Sequence, residues 1–581
     1  SNSAHINIGS FTSGQAMELT ADGNNTFAFY FKEYVDMWGN AIPYLGKVTL
    51  TSNVNANLKN GAIGFYYKGD GTANTADFYS FLDTVVDTSG NNLTVNVDSD
   101  SYKIAIDNAK VNLSGLLNSA NTSGINFTGT DRSKIYRSKV IIDIDSNLDK
   151  NNSVGDKSYS NMEIGNSGID ISSGITVSGT EEGLGGIAQS FAHDDVKIES
   201  NNFGTINLSG DKSAGIYNKM GVSKNEGIIN ISGNSGTGIY AVTGQAENSG
   251  EIFIGNKGIG MYAETLLSPA ENPTSSSSVS ISNSGKITAL SGEKAIGIFV
   301  NQNALTGTTG TASLDLTGGN INVSASESGV GVYSNEAEIS GTNSAITVGE
   351  NGTGVYVKNA ATNLYNLELN LYGDNSVGVY TDGTASFNGS GIVNVDGKGI
   401  TVFNITGSGG INQNFTVNST AGSQYTVQNI KDTVFYYNSA ADMGEGGNFL
   451  TGMNSAVLLD TDSSLSSSAD NMTGIALKGS YAGGLPVTIN GETQYYDVVN
   501  KGQISFKNNS VGIYTAGGAG IKNDGSISMG DYSAALYGNG AGTRILNNGT
   551  LEIGKYSVGI YNNDGSEIIN DGNIISSSDG V

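Results

Sequence analysis

The chain has 581 residues, of which 83 are Gly and only 4 are Pro, and 28 Lys+Arg against 54 Asp+Glu give a formal net charge of −26. Collagen is excluded because Gly does not occupy every third position, and nucleic acid or anionic lipid is not expected as a partner because no clustered basic face is evident. The absence of Cys excludes disulfides and thiolate metal sites, and no apolar run approaches the roughly 20 residues of a membrane-spanning helix.

Residues 1–160 are the least regular part of the chain, although strand-like alternation is present. Ile63-Gly64-Phe65-Tyr66 is an early copy of a phrase that recurs further on. Aromatic residues crowd the beginning of this region, and Trp38, the one Trp of the chain, lies among them. We predict a β-rich cap or distal head that is partly β-helical.

From residue 161 to residue 403 the phrase Gly-(Ile/Val/Met)-Tyr returns about every 23 residues. Its clearest copies in this range are Gly215-Ile216-Tyr217, Gly238-Ile239-Tyr240, Gly260-Met261-Tyr262, Gly331-Val332-Tyr333, Gly354-Val355-Tyr356 and Gly378-Val379-Tyr380. A fixed period of 20–50 residues is typical of one structural unit stacked on itself. The chain is therefore predicted to be a solenoid.

A second phrase, Asn-x-Gly, lies between the tyrosines and precedes apolar residues two positions apart, as in Asn225-Glu226-Gly227 before Ile229 and Ile231. A spacing of two is the strand period, and Asn and Gly tolerate the positive φ of a turn. Each repeat is predicted as strand–turn–strand–turn, with Gly and Tyr of the first phrase facing outward. Short strands separated by such corners predict an all-β fold, a parallel β-helix whose inner apolar residues stack coil upon coil.

The period fails at several places, where we predict loops or subdomains. Longer spacings indicate insertions near 264–280 and 303–313, and the first of these is rich in Pro and Ser. Residues 404–500 are predicted as degenerate coils or an inserted subdomain, and 501–581 as regular coils. The last residues break off where other repeats continue, which predicts that the chain is cut within a repeat.

These tandem phrases, in an acidic, Cys-free and Pro-poor chain, resemble the passenger domains of large fusobacterial type V autotransporters. The resemblance covers roughly residues 160–403 and 500–581. It implies a right-handed parallel β-helix at the bacterial cell surface, tethered through a C-terminal outer-membrane β-barrel outside this sequence. It also implies adhesion to host-cell glycans of the Gal/GalNAc type, to immune receptors or to partner bacteria. No binding motif of the family matches residue by residue.

The column of tyrosines is the most visible candidate surface. If the rings face outward, they form an aromatic strip that suits sugar rings. The alternative is a structural ladder in which each ring rests on its neighbour, and a column present in every coil favours this ladder.

The N-terminal aromatic residues are the preferred candidates for ligand binding, because Trp and Tyr are enriched at interfaces. The alternative is that they cap or fill the end of the solenoid. The candidate residues are Tyr30, Tyr34, Trp38, Tyr44, Phe78 and Tyr79.

Acidic residues alternate at Asp143, Asp145 and Asp149, but this segment does not fit a calcium loop. In an EF-hand register from Asp143, Leu148 replaces the required Gly and Val154 replaces the Glu. A solvated acidic turn is favoured, and no metal or cofactor is predicted.

Enzyme chemistry is not expected. His193 is followed by two Asp residues but has no evident nucleophile partner, and His5 is the one other His. The main prediction is a surface adhesin, and the alternatives are a polysaccharide-degrading β-helix enzyme and a passive spacer. A cleft with two carboxylates about 5–10 Å apart would favour the enzyme, and a smooth solenoid without a protruding element would favour the spacer.

Overall fold

The computed structural model consists mainly of short parallel strands and describes most of the chain. The described residues are 5–8, 16–32, 34–35, 41–42, 47–69, 71, 74–75, 78–117, 122–149, 162–189, 199–219, 221–265, 278–302, 310–406, 411–420, 423–432, 434–437, 440–443, 447–489, 491–564 and 567–577. The chain divides into two compact units. The first comprises Ser1–Phe253 with Asn272–Ser275, and the second comprises Ile254–Glu271 with Ser276–Val581.

In the first unit, each strand pairs in parallel with the strand at the same position of the next coil. The strands, grouped by sheet, are His5–Ile8, Lys47–Leu50 and Val86–Asp87; Met17–Asp22, Val54–Lys59, Leu93–Val97 and Ile125–Gly129; Phe27–Lys32, Ile63–Lys68, Tyr102–Asp107, Ser133–Tyr136 and Met162–Gly165; Asn74–Thr75, Lys110–Asn112, Lys139–Ile142, Gly168–Ile171, Glu199–Asn202, Val222–Asn225 and Gly244–Asn248; Ser146–Leu148, Thr176–Gly179, Thr205–Leu208, Ile228–Ile231 and Glu251–Ile254; Gly185–Gln189, Ala214–Asn218 and Thr237–Ala241. An antiparallel pair, Tyr34–Val35 with Ala41–Ile42, departs from this pattern.

The coils of the first unit become shorter along the chain. Near the beginning, Asn96 donates to Asn57 in the previous coil across 39 residues. Further on, Asn202 donates to Asn225 in the next coil across 23 residues. The described strands of the irregular N-terminal region therefore stack in the same way as those of the regular repeats, with more residues between them.

Two short helices, Phe78–Val85 and Leu113–Leu117, occupy part of the extra length. The first buries Phe78, Tyr79, Leu82 and Val85, a spacing that fits a helical face rather than a strand. The predicted all-β fold class is confirmed, and these two short helices are additions to the coils. Among the described residues, no helix is both long enough and apolar enough to cross a membrane.

The second unit repeats the parallel arrangement in its own coils. Its strands, grouped by sheet, are Val279–Asn283, Lys286–Ala289, Ala312–Asp315, Asn320–Asn322, Glu338–Thr342, Ala345–Val348, Ala361–Tyr372, Ser386–Asp396 and Ile411–Ser419; Ile259–Glu264, Ile296–Asn301, Val330–Asn335, Thr353–Lys358, Val377–Asp382, Ile400–Ile405, Tyr425–Lys431, Gly447–Met453, Met472–Lys478, Val511–Ala516, Ala534–Asn539 and Val558–Asn563; Val434–Tyr437, Ala456–Leu459, Val498–Asn500, Ile521–Asn523, Arg544–Asn547 and Glu567–Asn570; Ala440–Asp442, Ser464–Ser466, Gln503–Phe506, Ser526–Met529, Thr550–Ile553 and Asn573–Ser576; Gly292–Glu293 and Ser326–Glu327; and the antiparallel pair Leu485–Ile489 and Glu492–Tyr496.

The parallel pairing confirms the predicted parallel β-helix. A regular coil contains three strands rather than the predicted two, for example Val222–Asn225, Ile228–Ile231 and Thr237–Ala241. The apolar residues two apart face the core as predicted, since Ile229 and Ile231 are fully buried. The additional strand is the segment that ends in the Asn of the Asn-x-Gly phrase.

That Asn has a different role from the one predicted. Asn225 does not have a positive φ and is fully buried. Its Nδ2 donates to Oδ1 of Asn248 at 2.7 Å, and Asn202 donates to Oδ1 of Asn225 at 2.7 Å. In the second unit, Asn500 and Asn523 continue the same pattern within a ladder that runs to residue 570. An amide that donates and accepts can repeat this bond in every coil, which explains why Asn recurs.

The Gly of Asn-x-Gly is required for close approach rather than for a positive φ. A Cβ on Gly227 would lie 2.1 Å from the carbonyl oxygen of Gly204 in the preceding coil. In the second unit, a Cβ on Gly525 would lie 2.1 Å from the carbonyl oxygen of Gly502. Both distances are far inside van der Waals contact, so any side chain would push the two coils apart.

The Gly of the Gly-(Ile/Val/Met)-Tyr phrase does not face outward as predicted. A Cβ on Gly331 would lie 2.5 Å from the carbonyl oxygen of Gly354 and 2.5 Å from Cγ2 of Ile346, a core residue. This position therefore needs the absence of a side chain. Because the glycine faces the core, the alternation of inward and outward side chains is interrupted just before it. Val377 is therefore only half-buried, whereas Val379 is fully buried.

The aromatic residues of this phrase stack as a ladder on the outside of the coils. In the second unit, ring centroids lie 4.8 Å apart for Phe299 and Tyr333 and 4.9 Å apart for Tyr333 and Tyr356, with nearly parallel planes. In the first unit, the rings of Tyr217 and Tyr240 stack at 5.2 Å. Each ring face is covered by its neighbour, so the column resembles the predicted structural ladder and not an open strip.

The predicted insertions near 264–280 and 303–313 lie largely outside the described residues, which exclude 266–277 and 303–309. Within 404–500, most strands keep the parallel pairing of the coils, and one antiparallel hairpin is inserted.

The close approach of coils gives a first testable prediction. We expect Gly227→Ala to destabilise the first unit by about 1–3 kcal/mol, because the new Cβ overlaps a backbone oxygen. Thermal unfolding followed by circular dichroism measures the effect. The matched control is Gly165→Ala, where a Cβ meets no atom within 4 Å. Equal melting temperatures for the two variants would contradict the explanation.

The asparagine ladder gives a second prediction. In Asn523→Asp, a carboxylate cannot donate to Asn547, and burial raises its pKa above the unfolded value of about 3.9. Because the folded-state pKa is raised, stability falls as the pH rises through that pKa, and we expect a loss of about 1–3 kcal/mol near pH 7. Near pH 4 the protonated acid donates again, and most of this loss disappears.

Urea denaturation at both pH values measures this difference. Asn573→Asp, at an exposed position of a neighbouring strand, is the control and should show little change at either pH. A loss of stability in Asn523→Asp that does not depend on pH would rule out the buried carboxylate as the cause.

Candidate binding cleft

An antiparallel hairpin interrupts the coils of the second unit. Its strands are Leu485–Ile489 and Glu492–Tyr496, and it lies in the chain between Met472–Lys478 and Val498–Asn500. Gly491 near its tip has a φ of +87°, a conformation that the tight turn requires and that Gly adopts without strain. The hairpin is therefore an element added to the coil rather than a part of it.

Apolar packing holds the hairpin against the outside of a parallel sheet. Leu485 and Tyr496 are nearly fully buried and pack in one cluster with Ala456, Val499 and Leu546. Val499 and Leu546 alternate with core residues along their strands, so they project outward from the solenoid. The hairpin removes them from water, which stabilises both elements by about 25 cal/mol per Å² of apolar area buried.

Asp497 fixes the base of the hairpin. Its carboxylate accepts hydrogen bonds from Oγ of Ser480 at 3.0 Å and from the backbone N–H of Tyr481 at 2.7 Å. Its second oxygen accepts from the backbone N–H of Gly520 at 2.7 Å. Asp497 thus joins the chain entering the hairpin, the chain leaving it and a corner of the next coil. Both of its oxygens are occupied by these donors.

An open cleft of about 510 Å³ lies beside this base. That volume is within the usual range of small-ligand sites, roughly 300–1,000 Å³. Four glycines leave its walls open, and the side chains that line it are those of Ser480, Tyr481, Tyr495, Asp497, Arg544 and Glu567. The lining of the cleft is therefore polar and aromatic rather than aliphatic.

Arg544 is held in an extended position at this cleft. Its guanidinium lies 4.7 Å from the ring centroid of Tyr496 and donates to the backbone oxygen of Tyr495. Burial raises the pKa of Tyr496, and the positive charge of Arg544 opposes that shift. Among the residues that the structure describes, no carboxylate lies within ion-pair distance of Arg544. Several of its five N–H donors therefore remain open to a ligand.

The arrangement combines three kinds of contact. Tyr495 exposes half of its surface, and Glu567 is exposed at the position paired with Arg544 in the next coil. The cleft thus offers N–H donors, a carboxylate acceptor and an aromatic ring, and the charges of Arg544 and Glu567 balance. Such a set suits a neutral ligand with many hydroxyl groups, because donors, acceptors and a ring face are all within one concavity.

The residues predicted from the sequence lie elsewhere, in the first unit. Tyr30 is half exposed and stacks on Tyr66 at 5.3 Å, so it remains on the surface. Tyr34 lies in the short antiparallel pair, and Trp38 and Tyr44 lie outside the described residues.

The prediction is wrong for Phe78 and Tyr79. Both are fully buried in the helix Phe78–Val85, where their rings contact each other and Tyr79 contacts Phe127. No surface of either ring is open to a partner. These two residues follow the alternative, filling the interior of a long coil.

The acidic segment is held by protein groups. Asp143 accepts from Asn112 and from Ser114, and Asp145 accepts from the backbone N–H of Thr176. Burial raises the pKa of Asp143, but the hydrogen bonds outweigh it and hold the pKa below its ordinary value. Among the described residues, no group of three His, Cys, Asp or Glu side chains is placed to hold a metal ion. His5 lies in a strand, and His193 is outside those residues.

Models of known protein families, curated proteins and solved structures contain no match to this chain. The cleft is therefore interpreted from its own geometry. The sequence reasoning missed Tyr495, Arg544 and Glu567, although two signals pointed to this region. The period fails before residue 500, and Arg544 is one of only three arginines in the chain.

The role of Asp497 gives a third prediction. In Asp497→Asn, one oxygen becomes an NH₂ group that faces a backbone donor, so a charge-assisted bond worth about 1.5–3 kcal/mol is lost. We expect faster amide exchange and proteolysis in the hairpin, with little change in the melting of the coils. Ser480→Ala is the control, since it removes one neutral donor and leaves both backbone bonds. Unchanged exchange in Asp497→Asn would show that apolar packing alone holds the hairpin.

Proposed function

We propose that this chain is the adhesive part of a bacterial surface protein and that its hairpin cleft binds a saccharide of a host cell or a partner bacterium. The cleft with Tyr495, Arg544 and Glu567 carries this proposal. The resemblance of the repeat phrases to autotransporter passengers supports the surface location. The repeated coils supply a rigid scaffold, on which the hairpin presents the ligand-binding groups.

The hairpin favours an adhesin over a passive spacer. A spacer needs only the stacked coils, whereas this unit contains an added element with its own packing cluster and its own carboxylate anchor. Added elements of this kind are where binding residues are commonly placed on a rigid scaffold.

The carboxylates favour binding over hydrolysis. A glycosidase needs two carboxyl groups that are free to act as acid, base or nucleophile. In the cleft, Asp497 is committed to Ser480, Tyr481 and Gly520, and Glu567 is the carboxylate that remains open. A polysaccharide-degrading activity is thus the weaker proposal.

A glycan array with the purified chain tests the proposal, and the fourth prediction concerns its variants. We expect Tyr495→Ala to weaken binding of the recognised saccharide by roughly tenfold, because the ring supplies apolar contact area. Glu567→Gln should also weaken binding, since a neutral amide is a poorer acceptor. Isothermal titration with that saccharide measures both effects.

Tyr365→Ala and Glu552→Gln are the matched controls, as both side chains are exposed away from the cleft. Equal losses in these controls, or undiminished binding by the folded Tyr495→Ala variant, would place the saccharide elsewhere. Release of new reducing ends from a bound polysaccharide would instead establish the enzyme.

A further inference from the structure

The outer face of one sheet in the first unit collects positive charge, although acids outnumber bases in the chain by 54 to 28. The sheet contains the strands Phe27–Lys32, Ile63–Lys68, Tyr102–Asp107, Ser133–Tyr136 and Met162–Gly165. Six cations lie on these strands or at their ends, and one of them, Lys103, is buried and pairs with Asp131. The other five are called the basic face: Lys32, Lys68, Arg132, Lys134 and Arg137. They include two of the three arginines of the chain.

The sequence predicts no clustered basic face, and that expectation is wrong for this sheet. The cations are distant along the chain and come together only because the coils stack. The strand pairing places Ala105 between Tyr66 and Lys134, so that a small side chain separates the aromatic and cationic groups. Asp107 and Glu163 lie on the same strands, Glu33 follows Lys32 in the sequence, and Asp131 beside Arg132 is paired with Lys103. The five cations of the basic face still outnumber Glu33, Asp107 and Glu163.

Asp107 organises one half of the basic face. Its carboxylate is fully buried, accepts from the hydroxyl of Tyr66 at 2.7 Å and accepts from Nε of Arg137 at 2.8 Å. Nζ of Lys68 lies 4.0 Å from it. The side chains of Lys68 and Arg137 remain about two-fifths exposed. The carboxylate of Asp107 is therefore buried, while the side chains of Lys68 and Arg137 extend to the surface.

Tyr102 and Glu163 organise the other half. The ring of Tyr102 lies 4.5 Å from the guanidinium of Arg132 and 5.3 Å from Nζ of Lys134. Glu163 lies 3.8 Å from Arg132 and 3.4 Å from Lys134, and it accepts from the hydroxyl of Tyr102. The cations are thus ordered before any ligand arrives, which lowers the entropy cost of binding an anion.

The surface chemistry indicates the kind of occupant. Strands Ile63–Lys68 and Tyr102–Asp107 are paired on both sides, so they offer no free backbone edge to an added peptide strand. The exposed groups are ammonium and guanidinium heads together with the ring of Tyr30, which is half exposed and stacks on Tyr66 at one edge of the sheet. Cationic heads beside an aromatic ring fit a saccharide chain that carries anions, because the heads bind the anions and the ring packs against a sugar.

We propose that the basic face binds an acidic polysaccharide, a sulfated or uronic-acid-bearing chain that lies across successive coils. Arg and Lys bind sulfate and carboxylate groups through charge-assisted hydrogen bonds. Register partners lie on neighbouring coils about 4.8 Å apart, so the cations form an extended track rather than a point site. The net charge of −26 repels polyanions from most other surfaces, and this focuses binding on the basic face.

Binding of a heparin oligosaccharide to the full chain tests this inference and is the fifth prediction. We expect saturable binding that weakens as salt is added, and no binding of an N-acetylated, desulfated oligosaccharide of equal length. The double variant Lys68→Gln/Lys134→Gln should bind at least about tenfold more weakly. Both substitutions keep Arg137 on Asp107 and Arg132 on Tyr102, and an unchanged melting temperature verifies the fold.

The control is Lys507→Gln/Lys555→Gln, which removes the same charge from exposed positions in the second unit. It should bind within about twofold of the unchanged chain. An equal loss in this control, or no binding of heparin at low salt, would overturn the proposal. Equal affinity for polyglutamate or for a DNA oligonucleotide of the same charge would also overturn it, because the face would then recognise charge alone. Self-association by light scattering that the double variant abolishes, without heparin binding, would assign the face to a second copy.

Discussion

The whole structure depends on one constraint: each coil hydrogen-bonds to the next through its backbone, at the fixed spacing of a parallel sheet. A residue therefore has its register partner directly above and below it. A side chain that fits this position once fits it in every coil, and a side chain that does not fit is excluded. Regularity in the sequence follows from this requirement and not from any ligand.

The three recurrent residue types satisfy the constraint in different ways. Asparagine recurs in successive coils because its amide donates to the neighbour in one adjacent coil and accepts from the neighbour in the other, as at Asn225. The aromatic rings continue because their stacking distance, 4.9 Å between Tyr333 and Tyr356, is close to the coil spacing. Glycine continues where backbones approach too closely for a Cβ, as at Gly227 and Gly331. Ladders of this kind leave few groups free for binding, because each group is occupied by its neighbours in the adjacent coils.

The sequence was sufficient to predict the β-helix, its inner isoleucines and the stacking of the tyrosines, because these features have a period that can be read directly. It was not sufficient for the number of strands or for the direction of the glycines. The phrase Asn-x-Gly has the composition of a turn, and only the position of Asn225 inside the coil reveals a strand that ends in a hydrogen-bonded ladder. Phe78 and Tyr79 are aromatic residues of the kind found at interfaces, but a longer coil encloses an interior that buries them.

Candidate sites were less predictable because they depend on residues from different coils. Arg544 and Glu567 become neighbours through strand pairing. Lys68 and Lys134 come to lie on one sheet, two coils apart, in the same way. The sequence does show which residue types are rare. Periodic residues are explained by stacking, whereas a residue type that appears three times in 581 positions cannot be part of a ladder.

All three arginines share a physical arrangement that supports this reasoning. Arg132, Arg137 and Arg544 each lie beside a tyrosine ring, with centroid distances of 4.5, 5.6 and 4.7 Å. A ring fixes the guanidinium plane without consuming its donors, which is the condition for presenting it to a ligand. The two regions then differ in charge balance. In the cleft, Arg544 is matched by the exposed Glu567, and the carboxylate of Asp497 is held by three protein donors, so binding there should depend little on salt. The basic face has an excess of cations, and its binding should weaken steeply as screening increases. Salt dependence would thus distinguish the two proposed sites, which residue types alone would not separate.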